Sequence, residues 1–437
     1  VTDETEGEIM SMQRREFLGA LGAGSALAAL GGCATTGGGG GGRVVVIGGG
    51  FAGATAAKYI RMWSDGKIDV TLVEPREHFV SCPMSNLVIG GSKTIEFITH
   101  RYDRLATRHG VKLVRDTATA VDTEKRTVRT AGGQTLAYDR LIVAPGIDFM
   151  WEQIPALAKN PDAGTQIAPH AWQAGPQTLL LRRQLEAMPD GGVAVIAIPK
   201  APYRCPPGPY ERACQIAWYF KNRKPKSKVL ILDGNEDVQS KKGLFMKVWG
   251  GDYKGIVEYR PNHELEDIDL ATRTLKFKVQ GDVKADVVNL IPPQRAGAIA
   301  RAAGVVTANN RWCDVDFLTY ESTKVKNVHV LGDSIQVAPG MPKSGHMANQ
   351  QAKVCAAAIV ALLSGGSVNR TPVVTNTCYS MTNDTDTVHV ASVHQYDAGK
   401  KTMLTVPGSG GLSPAPTALE GKYAFAWAQN VWADILG

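Results

Sequence analysis

Cys205 lies in the stretch APYRCPPGPYERACQ, Ala201 to Gln215, directly before Pro206, Pro207, Gly208 and Pro209. Proline lacks a backbone N–H and locks φ, so this run continues neither a helix nor a central strand. It fixes a cysteine on a stiff loop, as a structural corner or as the mount of a reactive sulfur. Glu211, six residues on, has two readings. It is a general base beside that sulfur if burial raises its pKa, or a charge that stabilises a helix start. The chain has seven cysteines, Cys33, Cys82, Cys205, Cys214, Cys313, Cys355 and Cys378. None forms a Cys-x-x-Cys pair, a zinc-type cluster with histidine, or the Cys-x-x-Cys-His of covalent haem. The nine histidines are scattered, and no metal site is expected.

The elements that must position these residues are legible as buried strands and glycine turns. RVVVIGGGFAGATAAKYIRMW reads as strand, turn and helix, with Gly48, Gly50 and Gly53 in Gly-x-Gly-x-x-Gly order. The first glycine allows the tight turn, the second lets backbone approach a pyrophosphate, and the third permits close helix–strand packing. A second strand, IDVTLVEP, ends at Glu74, 21 residues after Gly53, where a carboxylate can accept both ribose hydroxyls of an adenosine. YDRLIVAPG (138–146) and NVHVLGDS (327–334) read as further strands ending in turns. Between them, GGVAVIAIPKAPYRCPPGPYERACQIAWYF and KVLILD give the strand–helix–strand of a second nucleotide unit. Its turn carries prolines and bulky side chains where the glycines should recur, which keeps a pyrophosphate from the backbone. Cys355 sits in an Ala-rich helix and reads as core packing, and Cys214 and Cys313 receive no role. The last seventy residues give short strands and a terminal helix, with Trp427 and Trp432 expected against the body of the protein.

Gly48–Gly53, YDRLIVAPG and the Gly332-Asp333 turn together resemble the paired motifs of two-dinucleotide-binding-domain flavoproteins, the disulfide reductase-like superfamily. The order SCPMSN, RCPPGPYE, PPQRAG, GDS…MPKSG and NTCYS resembles more closely the flavoprotein subunit of flavocytochrome c sulfide dehydrogenase, a relative of sulfide:quinone oxidoreductase. The resemblance spans nearly all the chain after residue 43. It implies an α/β fold of two Rossmann-like domains, the FAD domain discontinuous and the second NAD-like but degenerate, plus a small C-terminal α+β interface domain. The boundaries read 1–42 signal and tether, 43–150 and 286–365 FAD domain, 151–285 degenerate NAD-like domain, and 366–437 interface domain.

The resemblance also implies roles. Asp333 would hold the ribityl and phosphate region of FAD. Cys82, eight residues beyond Glu74, would carry FAD through an 8α-S-cysteinyl thioether. Cys205 and Cys378 would form a reducible disulfide over the flavin, which leaves both readings of Glu211, base at the sulfide site or helix-start charge, open. Lys343, in GMPKSG, reads by position either as a charge at a helix start near the flavin pyrimidine or as a solvent-facing lysine. Sulfide would be oxidised to sulfur or polysulfide, and electrons would pass singly to a c-type cytochrome subunit in a heterodimer. The rivals are a quinone-reducing enzyme and a non-catalytic flavin-binding electron carrier. The missing second glycine fingerprint disfavours an NADH-dependent reductase.

Composition agrees with a globular protein of two or three domains: 44% of residues are hydrophobic and 20% charged. Net charge is +7, and the first 33 residues contribute −3 through five acids and two arginines, so the rest carries +10. No Lys/Arg cluster resembles a nucleic-acid patch. MQRREFLGALGAGSALAALGGC has a twin arginine, Arg14-Arg15, and an apolar run too short to span a bilayer. It resembles a twin-arginine export signal, which implies a periplasmic protein exported folded, with no integral span in the mature chain. Cleavage between Ala28 and Ala34 is the expected processing. Lipidation at Cys33 is the alternative.

Overall fold

The computed structural model describes residues 41–437. The expected export signal, its cleavage site and Cys33 lie outside the described residues. Strand β1 (Arg43–Ile47) leads to helix α1 (Phe51–Trp63), strand β2 (Asp69–Val73), helix α2 (Ser85–Gly90), and strands β3 (Lys112–Val114) and β4 (Arg140–Val143). Val44 to Ile47 are all buried, as expected of a parallel strand covered on both faces.

The chain then builds a second unit from β5 (Val193–Ile198), helix α3 (Gly208–Arg223), β6 (Lys228–Asp233), β7 (Val257–Arg260) and β8 (Val287–Leu290). These strands form a four-stranded parallel sheet in the order β7-β6-β5-β8. Strand β9 (Val328–Val330) returns to the first sheet and completes the parallel order β9-β4-β1-β2-β3. The first sheet is therefore made of two chain segments, and its last strand delivers the Gly332–Ser334 turn beside the glycine loop.

Helix α4 (Gly345–Ser364) follows, N-capped by Ser344, whose Oγ accepts the Met347 N–H at 3.0 Å. Cys355 is fully buried in it, as core packing requires. The chain closes with β10 (Val373–Met381), β11 (Thr387–Asp397), β12 (Thr402–Thr405), β13 (Gly411–Leu412) and helix α5 (Ala418–Leu436). Strand β11 pairs antiparallel with the other three.

Helix α5 starts where Thr417 accepts the Glu420 N–H, and it docks on the first unit. Lys58 of α1 donates to the carbonyls of Ala433 and Asp434 at 3.1 and 3.0 Å. The Asp434 carboxylate takes Asn349 Nδ2 at 2.7 Å and pairs with Lys353 at 2.8 Å, both from α4. Trp432 is buried against Phe97 and His100, and Trp427 is half-buried against His346 and Tyr379. The tryptophans thus serve packing. Among the described residues no helix is long and apolar enough to cross a membrane.

Candidate flavin and cysteine site

The glycine loop has the geometry its spacing predicts. Gly48 holds φ +98°, a left-handed value that favours glycine, and donates its N–H to Val73 at 2.9 Å. A Cβ on Gly53 would lie 1.9 Å from the Gly48 carbonyl oxygen, so α1 can approach β1 only with glycine there. Gly50 caps α1, and a Cβ there would meet nothing within 4 Å. The loop therefore opens on free space at a helix N-terminus, the geometry that receives a phosphate. Gly49 adds a constraint the fingerprint omits. Its N–H donates to Glu74 Oε2 at 2.7 Å, and a Cβ would press on Tyr102 Oη at 2.8 Å.

Glu74 is buried at the end of β2, and its Oε1 accepts the N–H and Nε of Arg76 at 3.0 and 2.8 Å. Burial opposes its charge, but Arg76 and the two backbone N–H groups outweigh burial and hold the carboxyl below its ordinary range. It is ionised at neutral pH and able to accept ribose hydroxyls.

The Cys205 loop is anchored rather than merely stiff. Cys205 has φ +54°, an uncommon value for a side-chain-bearing residue, and donates its N–H to the Lys343 carbonyl at 2.9 Å. Gly208 returns an N–H to the Cys205 carbonyl at 2.9 Å. Arg204, 2% exposed, stacks 3.5 Å above the Trp312 ring. Its Nε and Nη2 donate to the carbonyls of Asp333 and Ile335, both at 2.7 Å, and its N–H donates to Gln294 Oε1 at 2.8 Å. Burial brings the guanidinium down to about 10 despite the opposing charge of Asp333. Gln294 itself is fully buried, and its Nε2 has no protein partner. An orphaned donor of this kind calls for an acceptor that the protein does not supply.

Five predicted residues from distant parts of the chain converge here. Cys205 and Cys82 keep accessible surface, yet protein surrounds both closely enough to penalise their charged forms. Both facts hold together if the surface they expose faces an internal cleft. Burial first, then Cys378, Glu211, Asp333 and Cys82, push the Cys205 thiol well above its ordinary value. Cys378, on β10, is thus the strongest ionisable neighbour of Cys205. Both sulfurs are free, so the structure does not contain the disulfide that the resemblance implied. Cys82, just before α2, has Sγ 3.7 Å from the Trp172 carbonyl, and burial raises its thiol as well.

Glu211 sits in the first turn of α3, where a carboxylate also complements the helix start, and is 8% exposed. Burial pushes it up to about 7, opposed by the neighbouring Lys241, Asn86, Ser380 and Arg212. Asp333 follows β9 and is raised by burial against Arg204 and Lys343. Lys343 directly precedes the Ser344 cap of α4. Burial and Arg204 lower it, and Asp333 opposes them.

A glycine cradle, an ionised ribose acceptor, an orphaned amide and a ring of half-enclosed polar side chains fit FAD. The second unit does not fit NAD. Its turn is filled by Tyr203, Arg204 and four prolines, with Tyr203 and Arg204 buried. Asp233, at the end of β6 as Glu74 is at the end of β2, is already spent on Tyr210 and Tyr259 hydroxyls at 2.7 and 3.1 Å and Asn235 Nδ2 at 2.7 Å.

Sequence reading passed over Arg204, Gln294, Asn86 and Ser380, although each lies inside or beside a motif it singled out. Lys241 carried no signal at all.

Fold and site define a two-dinucleotide-binding-domain flavoprotein in which only the first site is intact. Residues 42–171 match the pyridine nucleotide-disulphide oxidoreductase family. Residues 178–292 match the central domain of the sulfide dehydrogenase [flavocytochrome c] flavoprotein chain, and residues 370–436 match the flavin-binding domain of flavocytochrome c sulphide dehydrogenase. The chain thus matches two domain models of the flavocytochrome c sulfide dehydrogenase flavoprotein, the family its motifs resemble. It is 61% identical over 38 residues to that flavoprotein chain of Chlorobaculum thiosulfatiphilum, 9% of this chain and 77% of that one. It is 24% identical over 289 residues to the mitochondrial sulfide:quinone oxidoreductase of Dictyostelium discoideum, spanning 64% of this chain and 63% of that protein. The structure of the Aquifex aeolicus sulfide:quinone oxidoreductase has the same fold, with a TM-score of 0.71 and 19% identity over 90% of this chain and 91% of that one.

Proposed function

We propose that this protein is an FAD-dependent sulfide oxidoreductase, acting in the periplasm with a c-type cytochrome subunit as electron acceptor. The observation that carries the reading is the juxtaposition of Cys205 and Cys378 with a buried Glu211 whose proton affinity lies near neutrality. Oxidised, the two cysteines would be joined as a disulfide. Hydrosulfide attacks Sγ of Cys205, and the Cys205–Cys378 bond breaks as the new S–S bond forms. Cys378 leaves as thiolate, and Glu211 takes the hydrosulfide proton. The sulfide sulfur is oxidised by two electrons and the protein disulfide is reduced by two. A second sulfide removes the outer sulfur as a polysulfide, leaving Cys205 as thiolate. Bound FAD supplies a two-electron acceptor that can return electrons singly, and Cys82 is positioned by sequence to tether it through a thioether. Asp333 and Lys343 would hold its polar end.

The twin-arginine pattern supports export, and the matched flavocytochrome c domains support a cytochrome partner. A quinone is the second acceptor to consider, because the Dictyostelium relative is a sulfide:quinone oxidoreductase. Anaerobic flavin absorbance after sulfide and after NADH, in separate cuvettes, tests the substrate. Bleaching by sulfide alone supports the reading, and bleaching by NADH alone would overturn it. Re-oxidation by cytochrome c or by a soluble quinone then separates the acceptors.

A further inference from the structure

One residue borders both Cys82 and Cys205, and the reaction above leaves it without a role. Trp172 lies on the segment that joins β4 to β5, and its carbonyl oxygen is 3.7 Å from Cys82 Sγ. Its indole reaches toward the other sulfur. A Cβ placed on Gly208 would stand 2.9 Å from Trp172 Cη2 and 3.2 Å from Cys205 Sγ. The indole edge and the thiol therefore flank one narrow gap, which only glycine at the start of α3 leaves open. The indole is half-buried and Cys205 keeps accessible surface, so neither is sealed in the core.

The chain that carries this indole is rigidly held. Ala171, immediately before it, is 2% exposed and has φ +46°, a left-handed value that is costly for alanine. Buried side chains of the second unit bind the backbone on this side. Asn289 of β8 donates to the carbonyls of Pro169 and His170 at 2.7 and 2.9 Å. Arg212 of α3 donates to those of His170 and Ala171 at 3.0 and 2.6 Å. The Trp172 N–H donates to His170 Nδ1 at 2.9 Å. The Arg212 guanidinium lies 5.2 Å from the indole centre, and Tyr203 meets the ring edge-on at 6.3 Å. Gly208 and Arg212, at i and i+4, share one face of α3. One turn of that helix thus makes room for the indole and anchors it.

We propose that Trp172 is a specificity-determining residue of the cysteine site, its indole admitting hydrosulfide to Cys205 Sγ and excluding organic thiolates. The inference rests on the reading that a sulfur nucleophile attacks Cys205. Exchange is open to any thiolate, so discrimination between nucleophiles falls to shape. Hydrosulfide carries a single heavy atom, whereas a larger thiolate brings carbon substituents into the space the ring occupies. A thiolate that passed would form a mixed disulfide at Cys205 as Cys378 leaves as thiolate, one S–S bond replacing another.

The test compares two iodoacetamides, the parent reagent and one bearing a fluorescein group, on the reduced, FAD-loaded protein. Peptide mass spectrometry follows Cys205 alone. Both reagents lose iodide to the same thiol, so the ratio of their rates cancels its proton affinity and reads access. In Trp172→Ala the small-to-large ratio should fall about tenfold, the lower end of size discrimination by a pocket. Trp172→Phe, with a smaller ring, should fall between, and the flavin spectrum reports whether each variant is folded. Gly208→Ala narrows the gap and should move the ratio the other way. In the oxidised protein, glutathione should leave a mixed disulfide on Cys205 of Trp172→Ala and none on wild type. A wild-type ratio in both tryptophan variants would overturn the proposal, as would the mixed disulfide forming in wild type. If hydrosulfide fails to bleach the wild-type flavin while the ratio still falls in Trp172→Ala, sulfide oxidation is removed and the indole's control of access to Cys205 stands.

Discussion

The backbone N–H of Cys205 donates to the carbonyl of Lys343 at 2.9 Å, joining the loop of the second unit to the residue before α4 of the first. A sulfur that must meet both a substrate and a cofactor is thereby referenced to the cofactor's own domain. The left-handed φ of Cys205 and the Arg204 stack on Trp312 hold the same reference from either side.

If that reference matters, Arg204→Lys should loosen it. Lysine cannot reproduce two directed bonds to the carbonyls of Asp333 and Ile335 or the flat stack on the indole. We expect a loss of roughly 3 kcal/mol in unfolding free energy, in the range for breaking a buried charged network. Alkylation of Cys205 in the reduced protein should become faster. An unchanged alkylation rate would show that the loop is held by its prolines alone.

Cys205→Ser and Cys378→Ser should each keep bound flavin and lose its reduction by sulfide. Absorbance before and after anaerobic sulfide is the check. Retention of full reduction in either variant would make the pair a clamp instead of a reactant.

Gly50→Ala and Gly53→Ala separate cofactor binding from folding. A methyl on Gly50 enters the open space of the loop, so stability should stay within about 0.5 kcal/mol while FAD retention falls. A methyl on Gly53 collides with the Gly48 carbonyl and should cost about 3 kcal/mol or more, the upper end for over-packing. Denaturant melts and the flavin-to-protein absorbance ratio distinguish the two losses.

Glu211 also links pH to stability. Its ordinary value is 4.5, and the fold raises it to about 7. Between these pH values the native state binds the proton more tightly than the unfolded chain, so this group's contribution falls as pH rises through the window. Glu211→Gln should therefore gain stability relative to wild type from about pH 5 to pH 8, on the order of 3 kcal/mol at most. Below about pH 4.5 this pH-dependent gain should vanish. Paired urea melts at pH 4 and pH 8 measure it, and equal differences at both pH values would contradict a raised Glu211.

The sequence was informative wherever a residue's job depends on its immediate neighbours. Gly48, Gly50 and Gly53 are readable because a tight turn, a phosphate approach and a close helix contact must follow one another along a single strand–turn–helix. The same holds for β5, whose turn cannot be a phosphate loop once prolines fill it. Trp432 packed inward as an apolar helix face should. The resemblance named Cys82, Cys205 and Cys378, and position beside the proline loop singled out Glu211, but spacing alone could not bring together residues up to 296 positions apart in the chain. Only the return of β9 to the first sheet and the docking of β10 against α3 set them near one another. That Glu211 takes its proton far above an ordinary carboxylate is likewise a matter of burial, which only the folded chain sets. Lys241 is the clearest case. Nothing in its local sequence sets it apart from Lys242, yet it is buried and its Nζ finds a hydroxyl 139 residues away. Local conformation is fixed by short-range sterics that a sequence displays, whereas proton affinity and reactivity depend on which charges the tertiary fold places within a few ångströms.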